Sequence, residues 1–169
     1  MSLTGPIALT SLHRVDDFNC GNVALNEWLR NRSLRNQGLG FTSVNVFSDA
    51  EDMVVAYCGL APTAVASKSA PRSIRTGQSP DPVPCVLLGQ LAVDLRHRSK
   101  GLGVRLVLDA FRRTVIASEF IGGRAMVVNA ADADALRFWS RWGFTTSRED
   151  PYQLFRAMTD IRASLAAAD

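Results

Sequence analysis

Arg98-Ser99-Lys100-Gly101-Leu102-Gly103 is the stretch whose residue types and spacing point most directly to chemistry. The glycines at 101 and 103 remove the side chains that would keep a pyrophosphate off the backbone, and Arg98 and Lys100 add positive charge. An apolar run from Val86 to Val93 precedes the stretch, bounded by Pro84 and Asp94, and apolar residues recur after it at Leu102, Leu106, Val107, Ala110 and Phe111. That is the pattern of a buried strand feeding a helix with one buried face. A helix entered through a glycine loop presents unpaired N–H groups and the positive end of its macrodipole, so the ligand it suits is a phosphate. Two nucleotide motifs are excluded. No G-x-x-x-x-G-K-S/T occurs, and G-x-G is followed at position 106 by Leu, which leaves the dinucleotide fingerprint incomplete. On these six residues alone, an ordinary strand-to-helix turn remains the alternative.

Other chemistries have little to work with. His13 and His97 are the only histidines, and Cys20, Cys58 and Cys85 are odd in number and widely spaced. They fit neither a disulfide framework nor a zinc site and read as small buried hydrophobes, so no metal is expected.

The elements that must position the loop follow from periodicity. A first strand is expected over Ile7 to Leu12, and a turn at Phe18-Asn19-Cys20-Gly21 leads into an amphipathic helix over about 22–37, capped by Asn19 or Asn22 and stopped by Gly38 and Gly40. Phe41 to Phe47 and Met53 to Leu60 form a hairpin across Ser48-Asp49-Ala50-Glu51-Asp52. Residues 61–84, rich in Pro, Ser and Gly, read as one long irregular segment with too few apolar residues for a core, either functional or mobile. Beyond the central strand and helix come a strand over Arg124 to Asn129, a helix over Ala131 to Trp142 ended by Gly143, and a last strand over Leu154 to Met158. Such alternation implies an α/β layer with mixed pairing and one domain over residues 1–169.

Composition narrows the class. Hydrophobic residues make up 47% and charged residues 21% of 169, ordinary globular values. No apolar run approaches bilayer length and no basic region precedes an apolar core at the N-terminus, so a cytoplasmic protein without membrane attachment is expected. The net charge is +3, and 17 of the 19 cationic side chains are Arg. Arginine suits bidentate phosphate contact, and a GC-rich genome yields the same count. Residues 1–84 carry seven basic and seven acidic side chains, so the excess lies beyond Cys85, in the half that holds the loop.

Taken together, an N-terminal strand and helix, a hairpin, a strand into R-x-x-G-x-G and a helix, a strand ending in Asn129, and a helix ending in Phe138-Trp-x-x-Trp-Gly-Phe144 resemble the GNAT N-acetyltransferases. A narrower group is matched more closely, the acetyltransferase toxins of toxin–antitoxin pairs that act on aminoacyl-tRNA. The matching stretches are Phe18-x-Cys-Gly with Leu25-x-x-Trp28-Leu29, Pro80-Asp-Pro-Val-Pro84, Leu91-Ala-Val-Asp94, Lys100-Gly-Leu-Gly103, Asp109-Ala110 and Phe138-x-x-x-x-Gly-Phe144.

The resemblance implies a GNAT fold, in which a central, mixed, mostly antiparallel sheet is flanked by helices and two splayed parallel strands bind acyl-CoA. It implies acetyl-CoA as co-substrate, with the backbone of Leu91, Ala92 and Val93 pairing with the pantetheine arm. The amides of Arg98, Ser99, Lys100, Gly101, Leu102, Gly103 and Val104 would hold the pyrophosphate, and Asn129 and Phe138 would line the cofactor cleft. Transfer of acetyl to the α-amine of aminoacyl-tRNA is the implied reaction, with a ribbon-helix-helix antitoxin and a second copy of the chain as partners. Candidate tRNA contacts are Lys68, Arg72 and Arg75 in the long segment and Arg35, beside Arg30 and Arg32, on the first helix. A solvated face is the plainer reading of those helix arginines.

One position departs from the group. Where its members carry a tyrosine as acid toward the leaving thiolate, this sequence has Trp139, whose indole N–H donates a hydrogen bond without releasing a proton. Three readings stand: slow transfer with Trp139 as donor only, replacement by Tyr57 or Tyr152, or an acyl-CoA-binding regulatory module that no longer turns over. A small amine or peptide N-terminus is the competing acceptor.

Overall fold

β-branched residues recur along the strand segments, at Val44 and Val46, at Val54 and Val55, at Val83, Val86 and Val93, and at Val127 and Val128, where extended backbone best accommodates them. A computed structural model describes residues 2–168. In chain order it has β1 (Thr4–Ala8), α1 (Val23–Asn31), α2 (Ser33–Gly38), β2 (Ser43–Ser48), β3 (Val54–Val65), β4 (Val83–Val93), α3 (Leu102–Ile121), β5 (Ala125–Asn129), α4 (Ala133–Arg141), β6 (Thr145–Thr146), β7 (Gln153–Ala157) and α5 (Met158–Ala168). Helices flank a seven-stranded sheet of order β1-β2-β3-β4-β5-β7-β6. β1–β2, β2–β3, β5–β7 and β6–β7 are antiparallel, whereas β4–β5 is parallel, which matches the mixed sheet expected. Contacts divide the chain into two compact units, Met1–Ala61 with Gly89–Ala110 and Pro62–Leu88 with Phe111–Asp169.

In the first unit, Phe18, Leu29, Val44, Val46, Tyr57 and Ala92 pack into one buried cluster. Asn22 caps α1, its Oδ1 accepting the N–H of Leu25 at 3.2 Å. The single helix expected over 22–37 breaks at Arg32, whose φ of −128° lies outside the helical region, and resumes as α2. Gln37 then ties α2 to the sheet, donating to Leu9 O at 2.7 Å and accepting from Val44 N–H at 2.8 Å. β1 ends at Ala8 rather than reaching Leu12, because the next residues form a polar turn in which His13 Nδ1 accepts the Thr10 N–H at 3.0 Å.

The second unit corrects the reading of residues 61–84. β3 runs on to Val65 and β4 begins at Val83, and Ala70 and Ile74 between them are fully buried in a cluster with Cys85, Val127 and Phe155. The segment is pinned besides: Asp81 Oδ1 accepts Ser67 N–H at 3.0 Å, Ser147 donates to Ser69 O at 2.7 Å, and Arg124 Nε donates to Ile74 O at 2.8 Å. α5 takes the place of the end of the expected last strand. Met158, read as the end of the last strand, opens that helix and is buried with Ile161. No helix among the described residues is long and apolar enough to cross a membrane.

Candidate phosphate-binding site

β4 leaves the sheet through one 3-10 turn, Leu95–His97, and re-enters regular structure as the 20-residue helix α3. Between them Ser99 and Gly101 take left-handed backbone, with φ of 64° and 77°. Glycine adopts that region freely, whereas serine does so at a cost, so the loop is held in this shape by its surroundings. Ser99 follows an extended Arg98 (φ −64°, ψ 157°), so the chain turns sharply at Ser99 and again at Gly101 before it enters the helix. Arg105 N–H donates to Gly101 O at 3.1 Å, so the amides of Leu102, Gly103 and Val104, which come before it, have no intrahelical acceptor. Gly103 stands under β4, where an added Cβ would touch Val93 Cγ2 at 3.9 Å. A diphosphate fits this arrangement of open amides at a helix start.

Asp94 anchors the loop. Its carboxylate, fully buried, accepts from Asn19 N–H at 3.0 Å, from Arg96 N–H at 2.9 Å and from the Arg96 guanidinium at 3.0 Å through Nε and Nη2. Burial alone would raise its pKa; the Arg96 guanidinium and the two N–H groups outweigh that and hold the carboxyl below its ordinary value. His97 is buried beside it, and its Nδ1 lies 3.2 Å from Lys100 Nζ. Burial, with the Lys100 charge adding, lowers its pKa and keeps the ring neutral. A cavity of about 320 Å³ opens beside these groups, bounded by Arg96, His97 and Lys100 and by Asp17, Asp49 and Glu51. The two cations expected to add charge at a phosphate are thus engaged by protein partners, Lys100 by His97 and Arg98 by Cys20 O at 3.0 Å.

On β4, Ala92 is buried and Leu91 and Val93 are half-buried. The parallel ladder with β5 runs from Cys85↔Ala125 to Leu88↔Val128 and stops, while β4 continues to Val93.

In the second unit, Asn129 closes β5 opposite Gln153, with its side chain exposed. On α4, capped by Asp132 Oδ1 accepting Ala135 N–H at 2.8 Å, Phe138 is half-buried and Trp139 only 5% exposed. The Trp139 ring packs edge-on against Phe138 at 4.9 Å and Phe144 at 5.2 Å. Tyr152 lies next to Asn129: its carbonyl accepts Ala130 N–H at 2.7 Å, and the residue is 44% exposed. Tyr57, in the first unit, is wholly buried under Trp28 and donates its hydroxyl to Leu25 O at 2.7 Å. Burial, with Cys20 and Cys58 adding, pushes its phenol well above the ordinary value.

Among the candidate tRNA contacts, Lys68, Arg72 and Arg35 are exposed, whereas Arg75 is half-buried and its Nε meets no partner. Lys68, Arg72 and Arg75 share one segment of the second unit; Arg35 belongs to the first. Arg30 is turned back onto Phe18 O. No group of three His, Cys, Asp or Glu side chains among the described residues could hold a metal ion. Sequence reasoning passed over Asp94 as a ligand of the loop, although an aspartate closing a strand two residues before an arginine is a capping pattern. It also passed over Asn26, for which no local signal exists.

No family model matches the chain. A curated relative, a tRNA-acetylating toxin of Mycobacterium tuberculosis (strain ATCC 25618 / H37Rv), is 36% identical over 160 residues, which span 95% of each chain. Among solved structures, a tyrosine-to-phenylalanine variant of KacT matches with a TM-score of 0.88 at 25% identity, covering 97% of this chain and 99% of that one. AtaT complexed with acetyl-methionyl-tRNAfMet matches with a TM-score of 0.88 at 25% identity over the same shares, 97% and 99%. A variant of AtaT bound to the C-terminus of the antitoxin AtaR and acetyl-CoA shares the fold, with a TM-score of 0.81 at 24% identity over 98% and 99%.

Proposed function

Since the chain belongs to the GNAT-type acetyltransferase toxins that acetylate tRNA, we propose that it transfers acetyl from acetyl-CoA to the α-amine of an aminoacyl-tRNA. The observation that carries this reading is the loop of left-handed Ser99 and Gly101 opening α3, on a chain related end to end to a tRNA-acetylating toxin. When bound, acetyl-CoA supplies a thioester already activated toward amines, so no covalent enzyme intermediate and no catalytic dyad is required. The amides of Arg98 to Val104 hold the pyrophosphate, the backbone of Leu91, Ala92 and Val93 aligns the pantetheine arm, and Asn129 and Phe138 complete the cofactor site. Residues 1–169 act as one domain, cytoplasmic, as a homodimer silenced by a ribbon-helix-helix antitoxin. Lys68, Arg72, Arg75 and Arg35 meet the tRNA backbone.

For the departing thiol, the burial of the three candidate groups supports a division of labour. Tyr57 has its proton committed to Leu25 O inside the core, and Trp139 offers a hydrogen bond only. Tyr152, exposed beside Asn129, is the group free to give a proton at Oη. The buried indole favours a second reading, a weakened acyl-CoA-binding module whose retained role is the antitoxin complex. Radiolabelled acetyl from acetyl-CoA, offered to charged and uncharged tRNA, separates the two. Label on charged tRNA alone supports transfer; no label in a protein that binds acetyl-CoA leaves the module or a different acceptor amine, and Trp139→Tyr then chooses between them.

A further inference from the structure

The loop from Asp94 to Gly103 is bound by hydrogen bonds to a second turn far away in the sequence. Leu95 N–H donates to Asn19 O at 2.9 Å, Asn19 N–H to Asp94 Oδ2 at 3.0 Å, Arg98 Nη2 to Cys20 O at 3.0 Å, and Arg96 Nη2 to Asp17 O at 3.1 Å. Gly21, at φ 89°, closes the contact: an added Cβ would stand 3.5 Å from Leu95 Cδ2 and 3.8 Å from Arg98 Nη2.

That turn is shaped by one residue of α1. Asn26, buried, accepts Cys20 N–H through Oδ1 at 2.9 Å and donates from Nδ2 to Asn19 Oδ1 at 3.0 Å. Asn19 Oδ1 also accepts Gly21 N–H at 2.9 Å. The two backbone donors fix the orientation of both carboxamides, so the pair behaves as one rigid brace.

The geometry points to Asn26 as a positioning residue for acyl-CoA, acting through the Asn19–Gly21 turn on the backbone of the phosphate loop. This rests on the acyl-CoA reading above. Arg98 and Lys100 are turned toward Cys20 O and His97, so the grip on a pyrophosphate falls to backbone amides, whose aim depends on what holds the loop. Asn26 touches no residue of the loop itself in this network.

The test is calorimetric affinity for two donors, acetyl-CoA and acetyl-pantetheine, which keeps the thioester arm and lacks the pyrophosphate. In Asn26→Ala, acetyl-CoA is expected to bind about tenfold more weakly, as for one buried hydrogen-bond partner removed, with acetyl-pantetheine within about twofold of wild type. Should that variant not fold, Asn26→Asp is read in the same way. It keeps the acceptor for Cys20 N–H but sets a carboxylate oxygen against Asn19 Oδ1, so the selective loss expected is again about tenfold. Equal weakening of both donors, or of neither, overturns the positioning role. A wild-type protein that binds neither donor overturns the acyl-CoA reading itself, and the proposal with it.

Discussion

The carboxamide of Gln90 occupies the space where a side chain at position 59 would begin. A Cβ built on Gly59 would lie 2.5 Å from Gln90 Oε1, 3.2 Å from Thr42 Cγ2 and 3.5 Å from Trp28 Cη2. Glycine on β3 thus lets a β4 side chain and an α1 ring close over it, one residue before Leu91. Gly59→Ala is expected to cost about 1–3 kcal/mol of stability by overpacking. Because the obstructing atom ends a flexible side chain, adding Gln90→Ala should restore most of it. Urea unfolding of the two variants decides; a double variant as unstable as the single one would mean that Thr42 Cγ2, not Gln90, is what resists.

Tyrosine substitutions separate the candidate acids. Tyr152→Phe is expected to lower kcat on charged tRNA by about 10²-fold, the low end for general acid catalysis because a thiolate already leaves well. Tyr57→Phe should leave kcat near wild type and remove about 1 kcal/mol of stability with the bond to Leu25 O. Trp139→Tyr should raise kcat if the indole is what slows transfer. Steady-state rates at saturating acetyl-CoA and charged tRNA give the three kcat values, and urea unfolding gives the stability of Tyr57→Phe.

Acid should loosen the phosphate loop. Burial and the Lys100 charge hold the His97 pKa below its ordinary value, with Asp94 and Asp49 opposing and Arg96 reinforcing. A depressed histidine pKa means that the unfolded chain takes up the proton first. Its contribution to stability is therefore full above about pH 6.5 and is lost as pH falls toward the folded value. His97→Asn, which keeps an acceptor for Lys100 but does not titrate, should flatten this slope in urea midpoints measured from about pH 7.5 to about pH 5.5. Asp94, whose pKa is lowered, stays ionised throughout that window.

Salt should report the tRNA contacts. Phosphate neutralisation releases counterions, so the apparent tRNA affinity should fall steeply with ionic strength, and Arg72→Ala should reduce the log–log slope by about 1. Arg75→Ala should change stability as well, since its Nε is already buried without a partner. An unchanged slope in both variants would move the contact surface elsewhere.

What was legible in the sequence was local. Glycines at 101 and 103, the apolar run of β4 and the spacing of α3 announce themselves because period and backbone freedom depend on neighbours only. Ala70 and Ile74 escaped notice as core because two apolar residues amid prolines and serines make no period, yet both are fully buried. α5 was hidden by Met158, which continues the apolar pattern of β7, and by the run of alanines behind it. The Asn19–Asp94 bond joins residues 75 apart, and Asn26 serves it from a helix whose apolar spacing says nothing of an inward amide.

The ladder with β5 ends at Leu88↔Val128 while β4 runs on to Val93, and what an extended strand offers a ligand is backbone N–H and C=O groups. If the donor's pantetheine amides pair there, recognition of that arm is indifferent to which side chains Leu91, Ala92 and Val93 carry. Those side chains answer to the core, so mutation can exchange them for others of similar volume without touching the ladder. Proline alone, which deletes the N–H, strikes recognition directly. Substitutions that bend the strand should therefore weaken donor binding more than those that exchange these side chains.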